Sequence, residues 1–300
     1  MSQRDVKNRI ASTKNVQKIT SAMEAVSAAR LRRAEQRIVA LRPYVDAIRR
    51  MTRQAAEAAG AEASSLPLLV ERDEQSTVAL VLMTGDRGLA GAFNSQILRA
   101  GIRAADALSG QQVVWYASGR RGVSSLAFRG KEVRGSYTGF TDRPSFADAR
   151  EIADDLMAAY SDEKIDRVEI FYNGFVSALT QQVRREVLLP VTEADVLGEQ
   201  DPEGESEQAS EGSHRALVEY EPEPDAILER LIPSYVEMSI YRALLESTAS
   251  EHGARMTAMR SASENANDLI EDFTLEMNRA RQAEITQEIM EVVAGAESLV

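Results

Sequence analysis

Two long, glycine-poor, apolar-striped segments at either end of the chain limit most strictly what it can fold into. Residues 5–59 contain no glycine and one proline, Pro43. Leu31, Ala34, Ile38, Leu41, Val45 and Ile48 step by 3, 4, 3, 4 and 3, the a/d rhythm of a left-handed coiled-coil seam. Val16, Ile19, Met23 and Val26 keep that rhythm earlier in the segment, and the step of five from Val26 to Leu31 predicts a seam that rotates or loosens there. Pro43 predicts a bend, because proline removes an intrahelical bond and crowds the preceding turn. A helix of about 55 residues is roughly 80 Å long, more than a compact domain accommodates. From Asp225 to Val300 a second run follows, with Pro233 near its start, Gly253 inside it, and Met259, Ala262, Ala266, Leu269 and Phe273 stepping by 3 and 4. Two such helices at opposite ends of a chain predict an antiparallel pair. A pair this thin has little interior, so its remaining apolar positions must meet partner proteins or water.

Between them the period changes. Val78–Met83, Val113–Ala117 and Val168–Tyr172 read as buried strands, and Leu179–Leu189 as an alternating, antiparallel one. Gly91–Ser109, the segment starting "GRRGVSSLAFRG", and Phe146–Tyr160 read as helices. Strands interleaved with helices imply parallel pairs joined by helical crossovers. The expected architecture is an α/β central domain with a mixed, mostly parallel sheet, bracketed by two long terminal helices forming an antiparallel coiled coil. The expected division is residues 1–59, 76–222 and 225–300. "GEQDPEGESEQASEGSH", residues 198–214, lacks large apolar residues and reads as a flexible acidic insertion. A short returning strand is expected at Ala216–Tyr220.

The chain of 300 residues has no cysteine and two histidines. Disulfides, thiolate metal sites and cysteine nucleophiles are therefore excluded, and a histidine-rich metal site with them. No apolar run approaches the roughly 18 residues that span a bilayer, and "MSQRDVKNRIAS" lacks the apolar region of a secretory signal. The net charge of -12 hides an asymmetry: residues 1–60 hold thirteen Lys/Arg against five Asp/Glu, while residues 193–225 hold twelve acids and one arginine. The basic charges follow a helical pattern with an apolar stripe and no base-reading module, which argues against nucleic acid.

"VALVLMTGDRGLAGAFNSQILRAG", residues 78–101, is the best candidate for chemistry, an apolar strand entering a glycine-rich turn and then a helix. A phosphate-binding P-loop needs G-x4-G-K-[ST]. Here five residues separate Gly85 from Gly91, and Ala92 and Phe93 follow in place of lysine and hydroxyl. Nor does the spacing of Gly85, Gly88 and Gly91 fit G-x-G-x-x-G. The loop reads as a structural turn in which Asp86 accepts local backbone hydrogens and Arg87 makes an ion pair or a partner contact. A bulky residue at Gly88 is expected to disturb folding. His252 in the second helical run and His214 in the acidic stretch have no second histidine nearby. Ser21 and Glu24 form no nucleophile–base arrangement. Glu284, Glu288 and Glu291 share a helix face without complementary ligands. The pattern favours mechanical coupling or scaffolding over a freestanding enzyme.

Several motifs in order carry a resemblance over essentially the whole chain: "RIASTKNVQKITSAMEAVSAARLRRA", "TGDRGLAGAFN", "YVEMSIYRALLESTASEHGARMTAMRSASENANDLI" and, most specifically, "ITQEIMEVVAGAES". The sequence resembles the gamma subunits of F-type ATP synthases, of the bacterial type. That resemblance implies a central rotor shaft, one copy per complex, turning inside a hexamer of alpha and beta subunits and joined with the epsilon subunit to a membrane c-ring. It implies a non-catalytic subunit without cofactor, coupling proton passage to ATP synthesis or hydrolysis elsewhere, and held peripherally on the cytoplasmic side of the cell membrane.

The same resemblance implies partner contacts. Met23 matches a first-helix position near the beta-subunit levers. Arg30, Arg32 and Arg33 extend a basic region facing acidic partner loops, and Asp86 and Arg87 stand in the central-domain loop. Arg255 and Arg260 contact the ring or the opposing helix. Thr286 and Glu288 lie in the C-terminal segment that, through Val300, forms the bearing inside the hexamer. Two departures stand out: Ala90 where many relatives have cysteine, and an acidic stretch longer than in the commonest members.

Overall fold

The computed structural model describes residues 3–60, 66–72, 75–191 and 223–297. The acidic stretch 198–214 with His214, the expected strand Ala216–Tyr220, and Val300 lie outside the described residues. Helix α1 spans Gln3–Ala59 and the last helix, α5, spans Pro224–Glu297. Both run on through their prolines, Pro43 and Pro233. At Pro43 the lost bond frees the carbonyl of Val39, and both residues are exposed, so water can satisfy it. The chain packs as two compact units, one formed by α1 up to Ala29 with α5 from Arg255 onward, the other by Arg30–Ala254.

In the first unit the helices pair antiparallel. The guanidinium of Arg9 stacks on Phe273 at 6.0 Å, Gln17 Nε2 donates to Asn267 Oδ1 at 3.4 Å, Thr20 and Ser263 share a hydroxyl bond of 2.7 Å, and Arg260 Nε meets Glu24 Oε1 at 2.8 Å. The buried and half-buried seam of α1 in this unit is Val6, Ile10, Thr13, Gln17, Thr20, Glu24 and Ser27. Val16, Ile19 and Val26 are instead 49%, 60% and 52% exposed. The true seam lies one residue further along, which turns that apolar stripe about 100° away from it. On α5 the seam is Met259, Ser263, Ala266, Ile270, Phe273, Met277 and Ala280, and Leu269 falls outside it. Small hydroxylated side chains let the backbones approach and bond across the seam, so polarity alone pointed to the wrong phase. Beyond Ala280, α5 is exposed on all sides as far as Ala294.

The second unit is built on a five-stranded sheet of order β3-β2-β1-β4-β5. Its strands are β1 (Thr77–Met83), β2 (Gln112–Ser118), β3 (Val133–Tyr137), β4 (Arg167–Phe175) and β5 (Gln181–Leu189). Helices α2 (Phe93–Ala107), α3 (Arg120–Phe128) and α4 (Phe146–Ser161) make the crossovers. All pairings are parallel except β4 with β5. Central β1 is buried on both faces and alternates between them. Ala79, Val81 and Met83 pack with Ile152 and Leu156 of α4 and with Ile232, Val236 and Ile240 of α5. Val78, Leu80 and Leu82 pack with Phe93 and Ile97 of α2 and Leu126 of α3. This produces the continuous apolar run of a parallel strand. Strand β3 was not expected from the sequence.

Candidate functional site

The start of the loop after β1 is tied into the surrounding protein. Thr84 Oγ1 donates to Ser118 O at 2.7 Å and accepts from Gly122 N at 2.8 Å. Gly85 N donates to Asn94 Oδ1 at 2.8 Å. The Asp86 carboxylate accepts from Arg120 N at 3.1 Å, Gly139 N at 2.9 Å and Thr141 Oγ1 at 3.0 Å. The amides that open α3 are engaged as well, Arg120 N by Asp86, Arg121 N by Gly85 O at 3.2 Å and Gly122 N by Thr84, and at the start of α2, the helix that follows the loop, Phe93 N donates to Ala90 O at 3.1 Å. Asp86 ties β1, α3 and the loop before α4 together, while its neighbour Arg87 faces solvent. The strict glycine requirement lies at Gly119 (φ +84), where a Cβ would stand 2.2 Å from Thr84 O. At Gly88 the nearest group a Cβ would meet is the guanidinium end of exposed Arg121, at 2.9 Å. A flexible solvent-facing side chain can move aside for a Cβ, and a melting measurement on a bulky Gly88 variant tests the expectation for larger residues.

The remaining candidates scatter along the helices. Arg30 pairs with Asp142 inside the second unit, whereas Arg32 and Arg33 are exposed. His252 is buried, its Nε2 3.6 Å from Asp142 Oδ1. Met23 is half-buried, Arg255 is buried, and Arg260 contacts Glu24 of the opposing helix. Thr286 and Glu288 are exposed, and Thr286 Oγ1 donates to Gln282 O one turn earlier at 2.8 Å. The sequence reading missed that Val16, Ile19 and Val26 would form an exposed flank. It also missed Leu89, 64% exposed and held at φ +61. The hydroxyl-rich seam, once read as seam, was the available signal for the flank. No group of three or more His, Asp or Glu among the described residues could hold a metal, and no described helix is long and apolar enough to cross a membrane.

An antiparallel helix pair with an apolar flank turned outward, in one chain with an α/β layer, is the build of a contact-bearing structural subunit. Comparison with known proteins makes this specific. A family model described as ATP synthase matches residues 2–299. The chain is 43% identical over 296 residues to an ATP synthase gamma chain of Rubrobacter xylanophilus, covering 99% of this chain and 98% of that one. It is 41% identical over 299 residues to that of Heliobacterium modesticaldum, with 99% and 98% covered. Among solved structures it resembles a chain of the Tetrahymena thermophila mitochondrial ATP synthase central stalk and c-ring, with TM-score 0.59 and 25% identity, covering 82% of this chain and 99% of that one. A chain of the Euglena gracilis mitochondrial enzyme shares the fold, with TM-score 0.66 and 16% identity over 99% of this chain and 94% of that one. The chain belongs to the ATP synthase gamma chain family.

Proposed function

We propose that this chain is the central rotor shaft of a proton-translocating ATP synthase, carrying rotation between a membrane c-ring and the catalytic alpha–beta hexamer. The end-to-end likeness to ATP synthase gamma chains carries this reading. One copy per complex sits on the cytoplasmic side of the cell membrane, peripheral to it, with the epsilon subunit at its base. Residues 1–59 and 225–300 serve as shaft, and residues 76–222, with the acidic stretch 198–214, as base. The chain holds no nucleotide and acts by differential contact. A shaft without threefold symmetry meets each beta subunit with a different face, and only a difference in contact energy shifts a site between open and closed states.

Magnitudes indicate which residues matter. Moving a site from 1:99 to 99:1 takes about 5.5 kcal/mol. Val16, Ile19 and Val26 are each about half exposed, and completing their burial contributes about 1 kcal/mol apiece. The apolar flank therefore falls short alone, and the exposed arginines Arg32 and Arg33, with Met23, Arg87, Thr286 and Glu288, are the further contacts proposed. Reconstitution with alpha and beta subunits tests the reading. Rotation and multisite ATP turnover should appear only when this chain is present. Equal turnover without it overturns the assignment.

A further inference from the structure

Besides the hydroxyl bonds of Ser250 to Asn173 O at 3.0 Å and of Ser247 to Met83 O at 3.4 Å, two further kinds of contact hold α5 to the sheet. Leu228, Ile232, Val236, Ile240 and Leu244 pack among Val81, Met83, Val168 and Ile170. Such burial opposes separation but is non-directional. Set into its edge is a charged network joining α5 to β4 and β5. Arg242 Nη2 lies 2.7 Å from Glu186 Oε2, and its Nη1 donates to the Tyr172 hydroxyl at 3.2 Å and to Glu246 Oε1 at 3.3 Å. Tyr172, fully buried, donates to Glu186 Oε1 at 2.5 Å. Arg184 Nη1 reaches the other Glu246 oxygen at 3.4 Å, and its stem passes where Gly174 carries no side chain.

The network is a costly way to join a helix to a sheet. Burial opposes the charge on Arg242, and Tyr172, Glu186 and Glu246 outweigh it, holding the guanidinium above its ordinary range. Burial pushes the Glu246 carboxyl up against the pull of Arg242 and Arg184. An apolar set of equal volume is often as stabilising as buried ion pairs or more so. What a planar guanidinium fork adds is direction, because its bonds hold only at set angles. Arg242 and Glu246 lie one turn apart, so any rotation of α5 about its own axis breaks bonds on both strands.

We propose that Arg242, with Glu186, Glu246 and Tyr172, is the torsional key of the molecule, passing twist in α5 to the β4–β5 edge of the sheet. This rests on the rotor reading. The torque path is covalent, since α5 is one helix from Pro224 to Glu297.

The test uses the assembled complex with alpha and beta subunits. The chain has no cysteine and Phe128 is 93% exposed, so Phe128→Cys provides a single attachment point for a bead on the α/β layer. ATP-driven rotation is then measured against an opposing load. Arg242→Lys keeps the charge and loses the fork. Arg242→Met with Glu186→Leu fills the space with apolar atoms. Both should assemble, melt and rotate unloaded like the parent, and both should stall at less than half its load. Equal stall loads overturn the proposal. So does a loss of load that only tracks a loss of melting temperature and complex yield, because that marks a merely structural role. A parent complex that does not rotate at all sinks the rotor reading itself, and the proposal with it.

Discussion

At the scale of single residues, Arg72 shows how a connector is anchored. Its Nη1 meets Asp166 Oδ1 at 2.7 Å, its Nη2 donates to Tyr160 O at 2.6 Å, and the guanidinium stacks 4.8 Å over the Tyr160 ring. Asp166 also accepts from Thr77 N at 2.8 Å and Ser76 Oγ at 3.0 Å. Burial raises this carboxyl, but the bonds from Arg72, Thr77 and Ser76 together hold it below its ordinary value. A depressed folded-state pKa means the pair's stabilisation is fully present above the unfolded value of about 3.9 and is lost as pH falls through the lower folded one. Asp166→Asn should therefore lower the melting temperature at pH 7, by on the order of 2 kcal/mol in stability. The deficit should shrink below pH 4. A deficit that stays constant down to pH 2, read from melts across that range, removes ionisation as the cause. None of these partners was legible beforehand, because Arg72, Tyr160 and Asp166 meet only after the sheet has formed. The same holds for Asp86, whose local bonding was expected but whose acceptors' partners, Gly139 and Thr141, lie more than fifty residues away.

At the scale of elements, period was legible and phase was not. The seven-residue rhythm located both long helices, yet ranking residues by hydrophobicity chose Val16, Ile19 and Val26 over Gln17, Thr20 and Ser27. The choice between adjacent faces belongs to the partner helix, which brings Asn267 opposite Gln17, Ser263 opposite Thr20 and Arg260 opposite Glu24. Strand β3, "VRGSY", escaped because glycine and arginine dilute its β pattern, and its ladder comes from β2 on one side. The α4 cap, by contrast, is local: Ser145 and Asp148 form a capping box. A polar layer in a coiled-coil seam fixes register at a cost in stability. Thr20→Val with Ser263→Ala should accordingly be neutral or stabilising by up to about 1 kcal/mol, while relaxing the alignment of the helices. Cysteines at Gln17 and Asn267 report alignment: their oxidation should be rapid and uniform in the parent and slower in the apolar-seam variant. A loss above about 2 kcal/mol would instead make the hydroxyl pair a stabilising feature.

At the scale of the whole molecule, the apolar flank and the surface charges should act through different quantities. Among the described residues of α1, Arg32 and Arg33 are exposed, on a segment where base outnumbers acid. Exposed charges steer association and are screened within about 10 Å at 0.1 M salt. Burial of Val16, Ile19 and Val26 against a partner would be nearly indifferent to salt. Arg32→Ala with Arg33→Ala should then slow assembly with the alpha–beta hexamer and reduce rotation-coupled turnover at low salt, leaving nucleotide binding by isolated alpha and beta subunits intact. The difference from the parent should narrow as salt rises. Replacing the three apolar residues with serine should weaken the complex by a similar factor at every salt concentration. Assembly yield and coupled turnover, measured across a salt series, separate the two. Equal yield and equal turnover in the arginine double variant at low salt mean that these charges carry no partner contact, and the driving difference between shaft faces must then come from the apolar flank and the exposed end of α5.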